Sequence, residues 1–202
     1  MPRPVYLAFE GTERCGKSTQ SRRLAEHLGA TLTRETGGTP VGERLRMILH
    51  DVDVTDLDSR AEALMIAADR AQHMARVVMP ALDAGRDVVS DRSVYSTLAY
   101  QGYGRGVDLD ELTRVNTWAV RGRWPDLVVL LDVPSDMVDA RLADRDLDRF
   151  ERENTEFHRR VRDGFHTMAG KDAERWIVID ATAEKDAVGR AIAAAVDERL
   201  RR

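Results

Sequence analysis

The sequence predicts an α/β fold: a five-stranded parallel sheet with helices on both faces, in one domain spanning residues 1–202. Three observations carry this. Strand-like and helix-like stretches alternate along the chain, the pattern that gives parallel sheets covered on both sides. Asp126–Val133 is a continuous apolar run with an acidic residue at its start and another near its end, the signature of a central strand buried on both faces. Between the first strand and the first helix stands G-x-x-x-x-G-K-S, at Gly11, Gly16, Lys17 and Ser18.

The elements follow in order. Val5–Phe9 reads as a short buried strand, and Ser18–Leu28 as a helix with Leu24 and Leu28 on one face, stopped by Gly29. Ala30–Thr33 is a second strand, and Arg34–Pro40 a loop by its glycine pair and proline. Gly42–His50 resumes as helix, and Asp51–Asp58 is an acidic connector. From Ser59 to Ala84 runs the longest helical pattern. Ala61, Leu64, Ala68, Ala71, Ala75, Val78 and Leu82 form its apolar stripe, to be packed on core or on a partner. Ile66 and Arg70 lie on the other face, where spacing alone makes Arg70 a solvated charge.

Gly85–Arg92 reads as turn, strand, and then Asp91 and Arg92 at the strand's C-terminal end, the edge where open α/β sheets bind ligands. Val94–Tyr100 is helical, with a break expected at the three glycines of Gln101–Gly106. Asp108 caps a helix to about Arg121, and Pro134–Ser135 begins another after the central strand. Arg141, Arg145, Arg149 and Arg152 alternate with acidic residues, either a salt-bridged helix face or an arginine-rich lid over about 142–151. A helix follows through Phe165. Trp176–Asp180 is the last strand and Ala183–Leu200 the closing helix.

The Gly-Lys-Ser motif has a physical reason. Its glycines let backbone N–H groups turn inward around phosphate oxygens, and the next helix aims its N-terminal dipole at the same anion. Lys17 adds a full charge for the β/γ-phosphates, and the Ser18 hydroxyl is suited to Mg²⁺. Only three lysines stand beside 28 arginines, and one occupies this position. The chain is therefore read as a nucleoside-triphosphate binder of the P-loop NTPase fold, with Gly11, Thr12, Glu13, Arg14, Cys15, Gly16, Lys17, Ser18 and Thr19 around the phosphates.

Composition excludes several alternatives. A net charge of −4 offers no basic field for nucleic acid, and no apolar run is long enough for a membrane span. Cys15 is the only cysteine, so no internal disulfide forms and a reducing cytoplasm suits the chain. No Asn-Lys-x-Asp segment marks a guanine-reading switch. Arginines instead cluster near several loops, as expected where two polyanions are brought together for phosphoryl transfer. That is the profile of a nucleotide or small-metabolite kinase.

Several segments together resemble the thymidylate kinases: FEGTERCGKSTQ at 9–20, TRETGGTPVGERLR at 33–46, AADRAQH at 67–73, DRSVYSTLAYQGYGRG at 91–106, PDLVVLLDV at 125–133 and DRFERENTEFHRRVRDGF at 148–165. They stand in the family's order and cover most of the chain from 5 to 180. The resemblance implies transfer of the ATP γ-phosphate to dTMP, with Mg²⁺ at Ser18 and Asp91, by a homodimer. It implies that Arg46 and Arg92 hold the dTMP phosphate, that Arg70 reaches the thymine O4, and that Thr97 and Gln101 address the base edge. Tyr100 would exclude a 2′-hydroxyl, and Glu13 would sit near the 3′-hydroxyl. Arg14, Lys17, Asp91, Arg145 and Arg149 are the implied catalytic set. Arg141 joins the ATP site, and the loop at Ala181–Thr182 meets adenine.

The chain departs from the family pattern at three places. Ile66 stands where a phenylalanine usually stacks on the base, Thr36 replaces a proline, and Ser93 replaces an aromatic. Ile66 and Thr36 belong to the expected substrate site. They keep open a related deoxynucleoside monophosphate kinase with another base preference. A nucleotide-binding regulatory protein without turnover is the further alternative.

Overall fold

The computed structural model describes residues 3–134, 137–138 and 147–200. Its sheet has five parallel strands: β1 (Tyr6–Glu10), β2 (Thr31–Arg34), β3 (Val88–Asp91), β4 (Leu127–Asp132) and β5 (Trp176–Asp180), in the order β2-β3-β1-β4-β5. β1 pairs with β3 on one side and β4 on the other, so the crevice where the winding reverses opens beside the C-terminal end of β1. β1 is buried along its whole length and β4 up to Leu131, which accounts for their unbroken apolar runs.

Helix α1 (Lys17–Leu28) begins after Gly16, whose φ of 98° few other residues adopt, and ends on the left-handed Gly29. α2 (Pro40–His50) starts two residues earlier than the sequence pattern predicts. Thr39 caps it through its hydroxyl, and Pro40 occupies the first turn, where no N–H is needed.

The long helical stretch is not uniform. α3 (Ser59–His73) passes through a π-helical turn at Met74–Val78 into α4 (Met79–Asp83), with Pro80, which cannot donate a backbone hydrogen bond, just beyond. The wider turn rotates later side chains about one residue's worth of angle relative to a straight helix. Val78 and Leu82 accordingly lie in the core, while Leu64 and Ala68 of the same predicted stripe face outward. The opposite face, with Ile66 and Arg70, is the buried one. Arg70 is 1 % exposed, so the solvated reading from spacing is corrected.

The next helix runs further into Gln101–Gly106 than expected: it passes through Gly102 and ends at Gly104, ahead of the left-handed Gly106. α5 (Val94–Thr97) continues as a π-helical segment over Leu98–Gly104. Gly102 and Gly104 are there for close packing: a Cβ would come within 2.4 Å of Leu109 Cδ2 at the first and 2.6 Å of Phe157 Cε2 at the second. α6 (Leu109–Ala119), α7 (Thr155–Lys171) and α8 (Lys185–Leu200) complete the described helices, with Asp108 and Asn154 capping α6 and α7. α7 continues beyond Phe165. The helix expected from Pro134 falls mainly on residues outside those described.

Candidate active site

The loops leaving the C-terminal ends of β1, β2 and β3 meet in one depression with two compartments. The outer compartment follows the phosphate loop and is lined by Gly16, Lys17, Ser18 and Thr19 together with Arg34, Asp91 and Arg92. The inner compartment, a cavity of ≈ 190 Å³, is lined by Thr36, Arg46, Ile66, Arg70, Thr97, Tyr100 and Gln101 among others. Glu13, Glu35, Arg46 and Arg92 border both.

The phosphate loop is built as its sequence requires. Gly11 has φ 143°, and a Cβ there would lie 2.6 Å from Leu131 O and 2.8 Å from Cys15 Sγ, so only glycine fits. Lys17 folds back over the loop, donating from Nζ to Gly11 O at 3.2 Å and Thr12 O at 2.6 Å. Ser18 Oγ donates to Asp91 Oδ2 at 2.5 Å, which joins the helix start to the end of β3. Two adjacent oxygen groups of this kind fit a hard divalent cation such as Mg²⁺. Cys15 is buried beneath the loop as a small filler.

Behind the loop, Glu10 is fully buried and accepts from Ser93 N and Oγ and Ser96 N and Oγ, at 2.5–3.2 Å. Burial pushes its carboxyl up to about 7 against the lowering effect of those hydrogen bonds and of Arg92 and Lys17. Ser93 is therefore a structural residue. It caps α5 and anchors Glu10 from a fully buried position.

Arg92 sits in the left-handed region at φ 72° and reaches into the border between compartments. Its guanidinium donates to Glu13 Oε1 at 2.8 Å, Ser96 Oγ at 3.1 Å and Tyr100 OH at 3.2 Å, and lies 4.9 Å from the Tyr100 ring centroid. Tyr100 OH also donates to Glu13 at 2.9 Å. Burial would raise the Glu13 carboxyl, but the charges of Arg92 and Lys17 and the Tyr100 hydroxyl outweigh it and hold it below the usual range. Arg46 has weaker company, the Thr36 carbonyl at 3.4 Å and hydroxyl at 3.3 Å. Burial and repulsion from Arg34 and Arg92 lower its proton affinity, which marks a site short of negative charge.

Arg70 forms the floor of the inner compartment. Nε donates to Glu35 Oε2 at 2.7 Å, Nη1 to Thr97 Oγ1 at 2.8 Å and to Asn116 Oδ1, and Nη2 to the Ser93 carbonyl at 2.9 Å. His73 braces Glu35 from behind, with Nδ1 2.9 Å from Oε1 and Nε2 2.6 Å from Thr33 Oγ1. Gln101 donates its amide to the buried Glu62 at 2.7 Å. Ile66 supplies an aliphatic wall, with Leu49 and Phe150 among its companions.

The segment over 148–151 closes the far side. Arg14 forms a two-pronged ion pair with Glu151, at 2.9 and 3.0 Å. His50 Nδ1 lies 2.8 Å from Asp148, whose carboxyl is held at about 2 because His50 and the backbone N–H groups of Phe150 and Glu151 outweigh the raising effect of burial. Arg149 turns away from the phosphate loop, donating to Leu49 O at 2.9 Å and to Glu62. Arg141 and Arg145 lie outside the described residues. Ala181 follows β5 at the same edge of the sheet, its N–H donating to Asp132 O at 2.9 Å.

Sequence reasoning had not singled out Glu10, Glu35, Glu62, Leu49, His50, Phe150 or Glu151. Glu10 ends an apolar strand, Glu35 lies in a loop, Glu62 is one of several polar residues on a helix and Glu151 lies in a charged run, and no spacing relates them to the arginines they hold. The sequence signal available was the presence of acidic residues inside otherwise buried segments.

Comparison with known proteins places this geometry. The sequence profile described as thymidylate kinase matches residues 9–192. A curated thymidylate kinase of Maridesulfovibrio salexigens is 40% identical, over 98% of this chain and 97% of that protein. One of Oleidesulfovibrio alaskensis is 44% identical, over 95% and 97%. The crystal structure of thymidylate kinase from Ehrlichia chaffeensis superposes with a TM-score of 0.80 at 33% identity, covering 96% of this chain and all of that one.

Proposed function

The chain belongs to the thymidylate kinase family, and from that premise we propose that it transfers the γ-phosphoryl group of ATP to dTMP, with the two compartments as donor and acceptor sites of one domain. The observation that carries the assignment of sites is their shared border. Arg46 and Arg92 stand there, and among the described residues Arg46 has only two long hydrogen bonds, both to Thr36. A phosphate placed between the arginines would supply the missing negative charge and lie beside the phosphate loop.

In this reading an oxygen of the dTMP phosphate attacks the γ-phosphorus of ATP. The bond between that phosphorus and the β–γ bridging oxygen breaks, and ADP and dTDP leave. The loop amides and Lys17 hold the β- and γ-phosphates, and Arg14, steadied by Glu151, adds charge at the transferring group. Ser18 and Asp91 would hold Mg²⁺, which supplies charge neutralisation when bound. Arg46 and Arg92 fix the attacking phosphate in line with the donor. Neither phosphate needs a general base, so positioning and charge do the catalysis. Tyr100, locked against Glu13 and Arg92, crowds the sugar, while Arg70, Thr97 and Gln101 face the base edge. Arg145 belongs to the proposed lid, and Arg141 to the ATP site.

A homodimer and a cytoplasmic setting extend the reading. Leu64 on α3, Met47 on α2 and Trp118 on α6 are 57%, 65% and 82% exposed, on helices that pack side by side, and would be covered by a second copy. Among the described residues no helix is long and apolar enough to cross a membrane, and the single buried thiol suits a reducing compartment.

The test is ADP release from ATP and Mg²⁺ with dTMP, dUMP, dCMP, dGMP and dAMP offered separately. Fastest turnover with dTMP is expected. Faster turnover with another nucleotide would move the chain to a related kinase, and none with any would leave a binding role.

A further inference from the structure

Glu62 lies on α3, outside the residues that line the inner compartment, yet it is fully buried and charged. Its Oε1 accepts from Gln101 Nε2 at 2.7 Å and from Arg105 Nε at 2.7 Å, and its Oε2 accepts from Arg149. Two guanidinium groups on one carboxylate outweigh the burial that would raise its proton affinity, so Glu62 stays ionised. An ionised carboxylate only accepts. The Gln101 atom facing it must therefore be the NH₂ group, and the side-chain carbonyl is directed to the other side. No described protein group donates to that carbonyl, and Gln101 lines the inner compartment.

Arg70 supplies the complementary half. Four of its guanidinium N–H groups are engaged by Glu35, Thr97, Asn116 and Ser93. One N–H on Nη2 remains, since the guanidinium has five in all. The compartment thus offers a fixed donor from Arg70 and a fixed acceptor from Gln101. Thymine presents the matching pair, an accepting C4 oxygen beside the N3–H donor. Cytosine presents the reverse, a donating C4 amino group beside an accepting N3.

We propose that Glu62 is a specificity-determining positioning residue: by fixing the Gln101 amide with its oxygen toward the base, it makes the pocket accept a ring N–H and reject cytosine. The inference rests on the dTMP reading above and adds the residue that sets its selectivity. Without a full acceptor at position 62, Gln101 could turn over and donate to cytosine N3. The neutral rotation of one amide would then erase much of the discrimination.

The test compares kcat/KM for dTMP with that for dCMP in the unaltered enzyme and in Glu62→Gln, Glu62→Met and Glu62→Asp, with thermal unfolding and ATP binding recorded for each. Glu62→Gln places there an amide that can accept from Gln101 or donate to it, so the ratio should fall by a smaller factor than in Glu62→Met. Glu62→Met removes the acceptor, and the ratio should fall by about tenfold, the worth of one hydrogen bond. If Glu62→Met does not fold, Glu62→Asp decides. It keeps the negative charge on α3 but draws the carboxylate back by one methylene from Gln101, and from Arg105 on the same oxygen, and should lower the ratio in the same direction. In a Gln101→Leu background, Glu62→Asp should change the ratio no further, which separates action through Gln101 from general loosening. An unchanged ratio in a folded Met or Asp variant would overturn the role of Glu62. An unaltered enzyme that does not prefer dTMP to dCMP would instead overturn the functional reading itself.

Discussion

The outer and inner compartments are made in different ways. The outer one is organised round a local stretch, to which the ends of β2 and β3 add Arg34, Asp91 and Arg92. Gly11–Thr19 is one continuous stretch, its anion-binding groups are backbone amides, and its key side chains sit within two residues of each other. The inner one is assembled from the loop after β2, from α2 and α3, from α5 with its π-helical extension, and from the 148–151 segment. Its polar groups are side chains, three of them held by carboxylates: buried Glu35 for Arg70, buried Glu62 for Gln101 and half-buried Glu13 for Arg92. A backbone cradle tolerates change around it, whereas a pocket of braced side chains depends on residues that never touch the ligand.

That contrast is broken most sharply at Lys17. Lys17→Ala removes a charge aimed at the donor phosphates while leaving the strand, loop and helix in place. We expect kcat to fall by about 10³-fold with little change in dTMP affinity, as for loss of a preorganised charge-stabilising donor. Steady-state kinetics with far-ultraviolet circular dichroism checks it. Near-normal kcat, or loss of dTMP binding equal to the loss of rate, would mean the two compartments are not separable.

The buried acids behind the site should show themselves in stability. Glu10 has a folded-state pKa of about 7, above its ordinary value of 4.5. The folded state therefore binds the extra proton between those values, and the group's contribution is fully present below about 4.5 and is lost as pH rises through 7. The shift corresponds to about 3 kcal/mol. Urea unfolding at pH 5 and pH 7.5 should show a larger loss for the unaltered chain than for Glu10→Gln, whose side chain cannot titrate. Parallel pH profiles for the two would show that Glu10 does not carry the dependence.

Arg46 tests the shared border. Among the described residues it holds no strong ion pair of its own, so Arg46→Ala should leave the fold unharmed and weaken dTMP by about 10- to 100-fold, the worth of charge-assisted hydrogen bonds to phosphate. Isothermal titration with dTMP and with ATP separately would check it. A larger loss for ATP than for dTMP would exchange the two assignments.

The same division sets how much could be read in advance. Strand alternation, the Asp126–Val133 run and the phosphate loop were legible because each is a local pattern that fixes its own geometry. Arg70 was misplaced by spacing because helical periodicity reports which residues share a face and not which face is buried. The chain also continues through a π turn that periodicity cannot foresee. The glycines at 102 and 104 looked like helix breakers and proved to be packing contacts with Leu109 and Phe157, more distant in the chain. Glu35 and Glu62 were invisible for the same reason: a buried carboxylate is explained by its partners, and those lie 35 to 87 residues away.

Ile66 gives the mildest way to sharpen the comparison. Its side chain is 8% exposed and lines the inner compartment, where family members usually carry a phenylalanine. The compartment already holds aromatic surface on its other walls, since Tyr100 and Phe150 pack edge to face with centroids 6.1 Å apart. Ile66→Phe would add a ring to a half-open wall without disturbing any hydrogen bond of the Arg70 or Gln101 networks. An aromatic contact is worth about 1 kcal/mol, so the dTMP KM should fall by roughly fivefold with kcat unchanged. A tighter KM that extends equally to dUMP and dCMP would assign stacking to affinity and leave base choice to the braced polar groups. A raised KM would mean that Phe150 and Leu49 already close the space, so that in this chain the aromatic wall has moved from α3 to the 148–151 segment.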